Sequence, residues 1–61
     1  MMKTRTIWEG KNYRVRIQTD RRGGIAHLVE YKDGLTWTLL SIKGRQEAAL
    51  KQAQDLDSLK H

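Results

Sequence analysis

The sequence contains no cysteine and no proline, and only two histidines. Without cysteine there is no disulfide and no thiolate zinc site to stiffen the chain. His27 and His61 are too few to build a structural metal centre, so no cofactor is expected. Apolar runs are short and interrupted, far below the roughly 20 consecutive residues of a membrane-crossing helix. No export-signal pattern is present, which points to the cytoplasm. No proline breaks any element, and no repeat or low-complexity tract divides the chain. Residues 1–61 therefore read as one domain. A domain of this size buries only about 60% of the surface its unfolded chain exposes. With disulfides and metals removed, self-association is the expected source of further stability.

What the chain does have is positive charge, unevenly placed. Its net charge is +5. Lys3, Arg5, Lys11, Arg14, Arg16, Arg21 and Arg22 are opposed within the first 22 residues only by Glu9 and Asp20, which already gives +5. From Gly23 onward five basic and five acidic residues cancel. A concentrated cationic segment attracts phosphate and releases its condensed counterions, so a polyanionic partner is indicated.

Alternating patterns over 3–9 and 12–19, rich in Thr and β-branched residues, predict two strands. Gly10 at the first loop position suits a two-residue type II′ turn. That register sets Trp8 against Tyr13, Ile7 against Arg14 and Arg5 against Arg16. Trp8, Tyr13, Val15 and Ile17 then share an apolar face, while Lys3, Arg5, Arg14 and Arg16 share the other with Ile7. The Asp20–Gly24 connection leads to a third strand over 25–32. Pairing Thr19 with Ile25 places His27 beside Ile17, Val29 beside Val15, Tyr31 beside Tyr13, and Glu30 beside Arg14. His27 then reads as a core residue.

A fourth strand is expected over 35–42, and the turn before it has two solutions. A two-residue Asp33-Gly34 turn sends Leu35, Trp37 and Leu39 to the basic face. A three-residue loop sends Trp37 and Leu39 into the core, which captures about 1.5 to 3 kcal/mol of transfer free energy for a buried side chain. Burial of Trp37 is therefore the expected outcome. Either way several apolar groups face away from the helix, and a patch of that kind marks an interaction surface. A second copy of the chain is its expected occupant.

Residues 44–59 carry helical spacing, with Ala49, Leu50, Ala53 and Leu56 as the stripe, Gly44 as N-cap and Glu47 in the first turn. The fold class is α+β: a four-stranded antiparallel meander, or three longer strands, with one C-terminal helix across a single face.

The functional reading follows from the basic face. Arg5, Arg14 and Arg16 would contact nucleic-acid backbone or bases, with Lys11, Arg21 and Arg22 gripping phosphates from the loops. Arg5 opposite Arg16 is mildly repulsive, a strain that an anion would relieve. If Trp37 lies on this face it offers a stacking platform for an unpaired base. An alternative is a small regulator or inhibitor that binds an acidic protein partner through the outer face of strands three and four. No Ser, His or carboxylate spacing suggests a catalytic constellation, so the chain is not expected to be an enzyme. In layout it is similar to small modules that lay a sheet on duplex DNA, and to single-strand-binding modules in which four strands precede a helix.

Overall fold

The computed structural model describes residues 3–59, so His61 lies outside the described residues. Strands β1 (Lys3–Glu9), β2 (Tyr13–Thr19), β3 (Ile25–Asp33) and β4 (Thr36–Lys43) precede one helix, α1 (Gln46–Leu59). The sheet is an antiparallel meander in the order β1-β2-β3-β4, with α1 on one face. The α+β class and the single C-terminal helix are as the pattern predicts.

Between β2 and β3 the register is the expected one, from Tyr13 opposite Tyr31 to Thr19 opposite Ile25. Two features hold it. Val15 and Val29 face each other beneath the helix and are fully buried, and the connecting loop has a fixed shape. Asp20 Oδ1 accepts hydrogen bonds from the Arg22 N–H at 2.9 Å and the Gly24 N–H at 2.7 Å. Gly23 supplies the positive φ of +81° that the loop needs.

Both outer hairpins depart from expectation. Gly10 does not take a positive φ, and the first turn is not centred on it. Its N–H donates to the Tyr13 carbonyl at 2.8 Å, so the chain reverses through Lys11 and Asn12. Glycine is required there for closeness: a Cβ would stand 2.5 Å from Asp57 Oδ2 and 2.7 Å from the Trp8 ring. The type II′ geometry appears instead in the second hairpin. Asp33 pairs with Thr36 across a two-residue Gly34-Leu35 loop, with φ of +65° at Gly34 alone of the pair. Leu35 sits at the loop tip, which explains its 99% exposure. The helix also begins later than expected. Arg45, not Gly44, holds the capping position, its carbonyl accepting from the Ala49 N–H at 3.2 Å.

The fully buried core is Val15, Val29, Ala49 and Ala53, with Ile7, Trp8, Tyr13 and Leu50 packed around it. Alanine lets α1 approach closely but contributes little area, so polar ties matter. Ser41 Oγ donates to Gln52 Oε1 at 2.6 Å. At the other end of α1, the Asp57 carboxylate accepts from the Asn12 N–H at 2.8 Å and the Lys11 N–H at 3.3 Å. These bonds, Asn12 first, hold the Asp57 carboxyl below its ordinary value of 3.8. A depressed folded-state value means the contribution is present above the unfolded value and disappears as pH falls through the folded one. Asp57→Asn should therefore lower the melting temperature at neutral pH, and the gap to wild type should narrow at acid pH, below the ordinary carboxyl value of 3.8. An identical gap at both pH values in thermal melts would reject this role.

Candidate nucleic-acid interface

The face of the sheet opposite α1 is uncovered, and its residues follow from the registers. Glu9, Arg14, Glu30 and Leu39 form one row across the four strands, and Thr6, Arg16, Leu28 and Ile42 form the next. Lys32 and Trp37 pair nearer the Gly34 turn.

Glu30 is the centre of this face. It is 9% exposed, buried by its neighbours although no helix covers it. Its Oε1 accepts from Arg14 Nε at 2.5 Å and lies 3.9 Å from Arg16 Nη1. The Arg14 guanidinium in turn stacks over the Trp37 ring, 4.3 Å from its centroid. A charge fixed by a carboxylate on one side and an indole on the other is well ordered. Arg16 is less satisfied: its Nε is buried and has no hydrogen-bond partner. The Arg16 side chain is also the more open of the two, 30% exposed against 17% for Arg14, so an incoming acceptor would reach its outer nitrogens first.

The expectation that Arg5 joins Arg14 and Arg16 is corrected by a bulge. The ladder shifts between Thr6 and Trp8, leaving Ile7 as an extra residue. Beyond it the alternation inverts, so Arg5 opposes Ile17 and Lys3 opposes Thr19, both on the helix side. The physical reason is apolar burial. A regular strand would send Ile7 to the open face, whereas the bulge lets Ile7 and Trp8 both pack on the core. Arg5 and Arg16 are thus not opposed, and the repulsion expected between them does not arise. Because α1 packs mainly on β2 and β3 and closes over the Lys11–Asn12 loop, one corner of the helix side stays open. Lys3, Thr4, Arg5, Ile17 and Thr19 line a groove of about 600 Å³ there.

Burial of Trp37 is likewise corrected. The Gly34-Leu35 loop puts it on the open face, half-buried, with Leu39. A second bulge leaves Leu40 as the extra residue, returning Ser41 to the helix side and placing Ile42 beside Leu28 on the open one. Trp37 recovers part of the lost burial through Arg14, a stacking worth about 0.5 to 2 kcal/mol. Trp8 packs on the core as its strand pattern implies.

Of the remaining expected contacts, Lys11 is exposed at the first hairpin tip, and Arg21 and Arg22 are exposed on the loop at the opposite end of the sheet. Charge is therefore polarised along the strands. The open face itself carries Arg14, Arg16 and Lys32 against Glu9 and Glu30, a balance of +1. The end formed by the Asp20–Gly24 loop and the β4–α1 connection carries Lys3, Arg5, Arg21, Arg22, Lys43 and Arg45 against Asp20 and Glu47, or +4. Lys32 was missed as a site residue, although its two-residue offset from Glu30 already assigned it to this face.

His27 is 6% exposed on the helix side, between Ile17 and Lys43, and its Nδ1 has no hydrogen-bond partner. Among the described residues no group of three or more His, Asp or Glu side chains could hold a metal ion, and no helix is long and apolar enough to cross a membrane. Comparison with protein-family models, curated proteins and solved structures finds no match to this chain.

Proposed function

We propose that this chain binds single-stranded nucleic acid along the open face of its sheet, with a base on Trp37 and the backbone running toward Arg21 and Arg22. The observation that carries the reading is the Arg14–Trp37 stack beside the under-satisfied Arg16, on the face that α1 leaves bare. An aromatic face accepts any base, and arginine forks suit phosphate. Strands of seven to nine residues give this surface a length of about 25 Å, enough for several nucleotides. Lys11 lies past the Trp37 end, while Arg5 adds only long-range attraction from the other side of the sheet.

Four phosphate contacts, to Arg16, Lys32, Arg21 and Arg22, give an expected slope of log affinity against log salt of about −3 on a single strand. Arg16→Ala should weaken binding far more than Arg5→Ala, and Arg21→Ala with Arg22→Ala should flatten the slope by about 1 to 1.5. Titration of labelled oligonucleotides across salt concentrations reads all three. A slope near zero, or equal effects of Arg5→Ala and Arg16→Ala, ends the proposal.

A second reading is favoured by one observation. Leu39 and Ile42, 49% and 59% exposed, lie on the same face as Leu28 and Trp37. Aromatic, aliphatic and arginine side chains together are the composition of a protein-interaction patch, which would suit an acidic protein partner. Leu28→Glu should abolish that function, and capture of the partner should survive nuclease treatment.

A further inference from the structure

The two edges of this sheet differ in a way the open face does not explain. β1 is protected as exposed edges usually are: Lys3, Arg5 and Glu9 are charged, and the Ile7 bulge distorts its ladder. β4 has a bulge at Leu40 but carries no charged residue from Thr36 to Ile42. Thr-Trp-Thr-Leu-Leu-Ser-Ile is a run of high β-propensity, free of glycine and proline, along a row of unpaired backbone groups. Such an edge either aggregates or has a partner strand.

We propose that β4 pairs antiparallel with β4 of a second copy, extending the sheet to eight strands about a twofold axis between Leu39 and Leu40. Charge selects this partner and this edge. Of the surplus of +5 in residues 3–22, +4 lies on β1, β2 and the loop between them, away from β4, and the Asp20–Gly24 loop adds +1. Joining β4 to β4 sets the two copies of β2 about 24 Å apart, well beyond the screening length of about 8 to 10 Å. Pairing through β1 would instead bring like charges into contact.

The register is self-complementary as well. An axis between Leu39 and Leu40 places Trp37 opposite the partner subunit's Ile42, both on the open face, and Thr38 opposite the partner subunit's Ser41, both on the helix side. The symmetric contact closes on itself, leaving only the two protected β1 edges exposed. It also supplies the stability that a core of four fully buried residues does not. Pairing through the edge leaves the open face free, so it does not depend on nucleic-acid binding.

Sedimentation of the nucleic-acid-free protein at high micromolar concentration tests the pairing, together with amide hydrogen exchange. The expected result is a dimer, a melting temperature that rises with protein concentration, and concentration-dependent protection of β4 amides but not of β1 amides. Leu40→Lys, at a position 43% exposed, should give a folded monomer that has lost this protection. A wild-type monomer with freely exchanging outer β4 amides overturns the proposal. So does a dimer that protects β1, a dimer that persists in folded Leu40→Lys, or growth into species larger than a dimer. If Leu40→Lys fails to fold, the wild-type exchange and concentration data decide alone.

Discussion

Replacing Glu30 by alanine should destabilise this domain more than any other single change on the open face, by about 3 kcal/mol. The carboxylate is 12% exposed, and its main partner Arg14 is 17% exposed at the side chain. Removing it strands one guanidinium against an indole and leaves Arg16 without its nearest anion. A domain of this length has a total stability of roughly 3 to 9 kcal/mol, so a large share of the margin disappears. Glu30→Gln keeps the shape and one acceptor and should fall between the two. Replacing Arg14 and Glu30 together by methionine should cost far less than Glu30→Ala alone, because no charge is then left buried and unpaired. Urea unfolding of the three variants measures this order. If Glu30→Ala unfolds at the wild-type midpoint, the pair is an ordinary solvated surface contact. Glu30→Ala and Glu30→Gln, where folded, should also bind nucleic acid more tightly, since the open face gains a net positive charge, whereas the methionine pair leaves that charge unchanged.

The second large effect concerns Trp37. Trp37→Ala should cost about 1 to 3 kcal/mol of single-strand affinity, roughly 5- to 150-fold, while Trp37→Phe retains most of it. Duplex binding, where no base is free to stack, should change little. Tryptophan fluorescence offers an independent readout. Quenching on addition of oligonucleotide should come from Trp37 and vanish in Trp37→Ala, leaving the signal of Trp8, which packs on the core. Folded Trp37→Ala with unchanged single-strand affinity would mean that the indole serves only to order Arg14. That outcome would favour the protein-interaction reading of the patch around Leu39 and Ile42.

Much of this architecture was legible in local pattern. Period-two alternation located the strands, and the pairing of Val15 with Val29 and of Arg14 with Glu30 followed from one loop, Asp20–Gly24, whose residues allow few geometries. The Ala49–Ala53 stripe marked the buried side of the helix. The site was harder to read because a one-residue slip exchanges the faces of a strand. Arg5 and Ile42 each lie beyond a bulge, so counting in twos from their turns gives the wrong side. Nothing local announces those bulges. Ile7 leaves the regular ladder because a second apolar group can reach the core beneath α1, a gain that exists only once the helix is in place.

Gly10 and Gly34 make the same point about turns. Both precede a residue able to complete a two-residue loop, yet only Gly34 takes the left-handed conformation. At Gly10 the deciding contact comes from Asp57, 47 positions away in the chain, whose carboxylate needs the space a side chain would fill. By itself the sequence determined the number of strands, the helix, the central register and the excess of cations, because these depend on residue type and short-range spacing. Tertiary structure alone decided that Lys3 and Arg5 leave the face that Arg14 and Arg16 share, because that depends on where bulges form. Bulges form where burial against a distant element outweighs the loss of regular strand pairing.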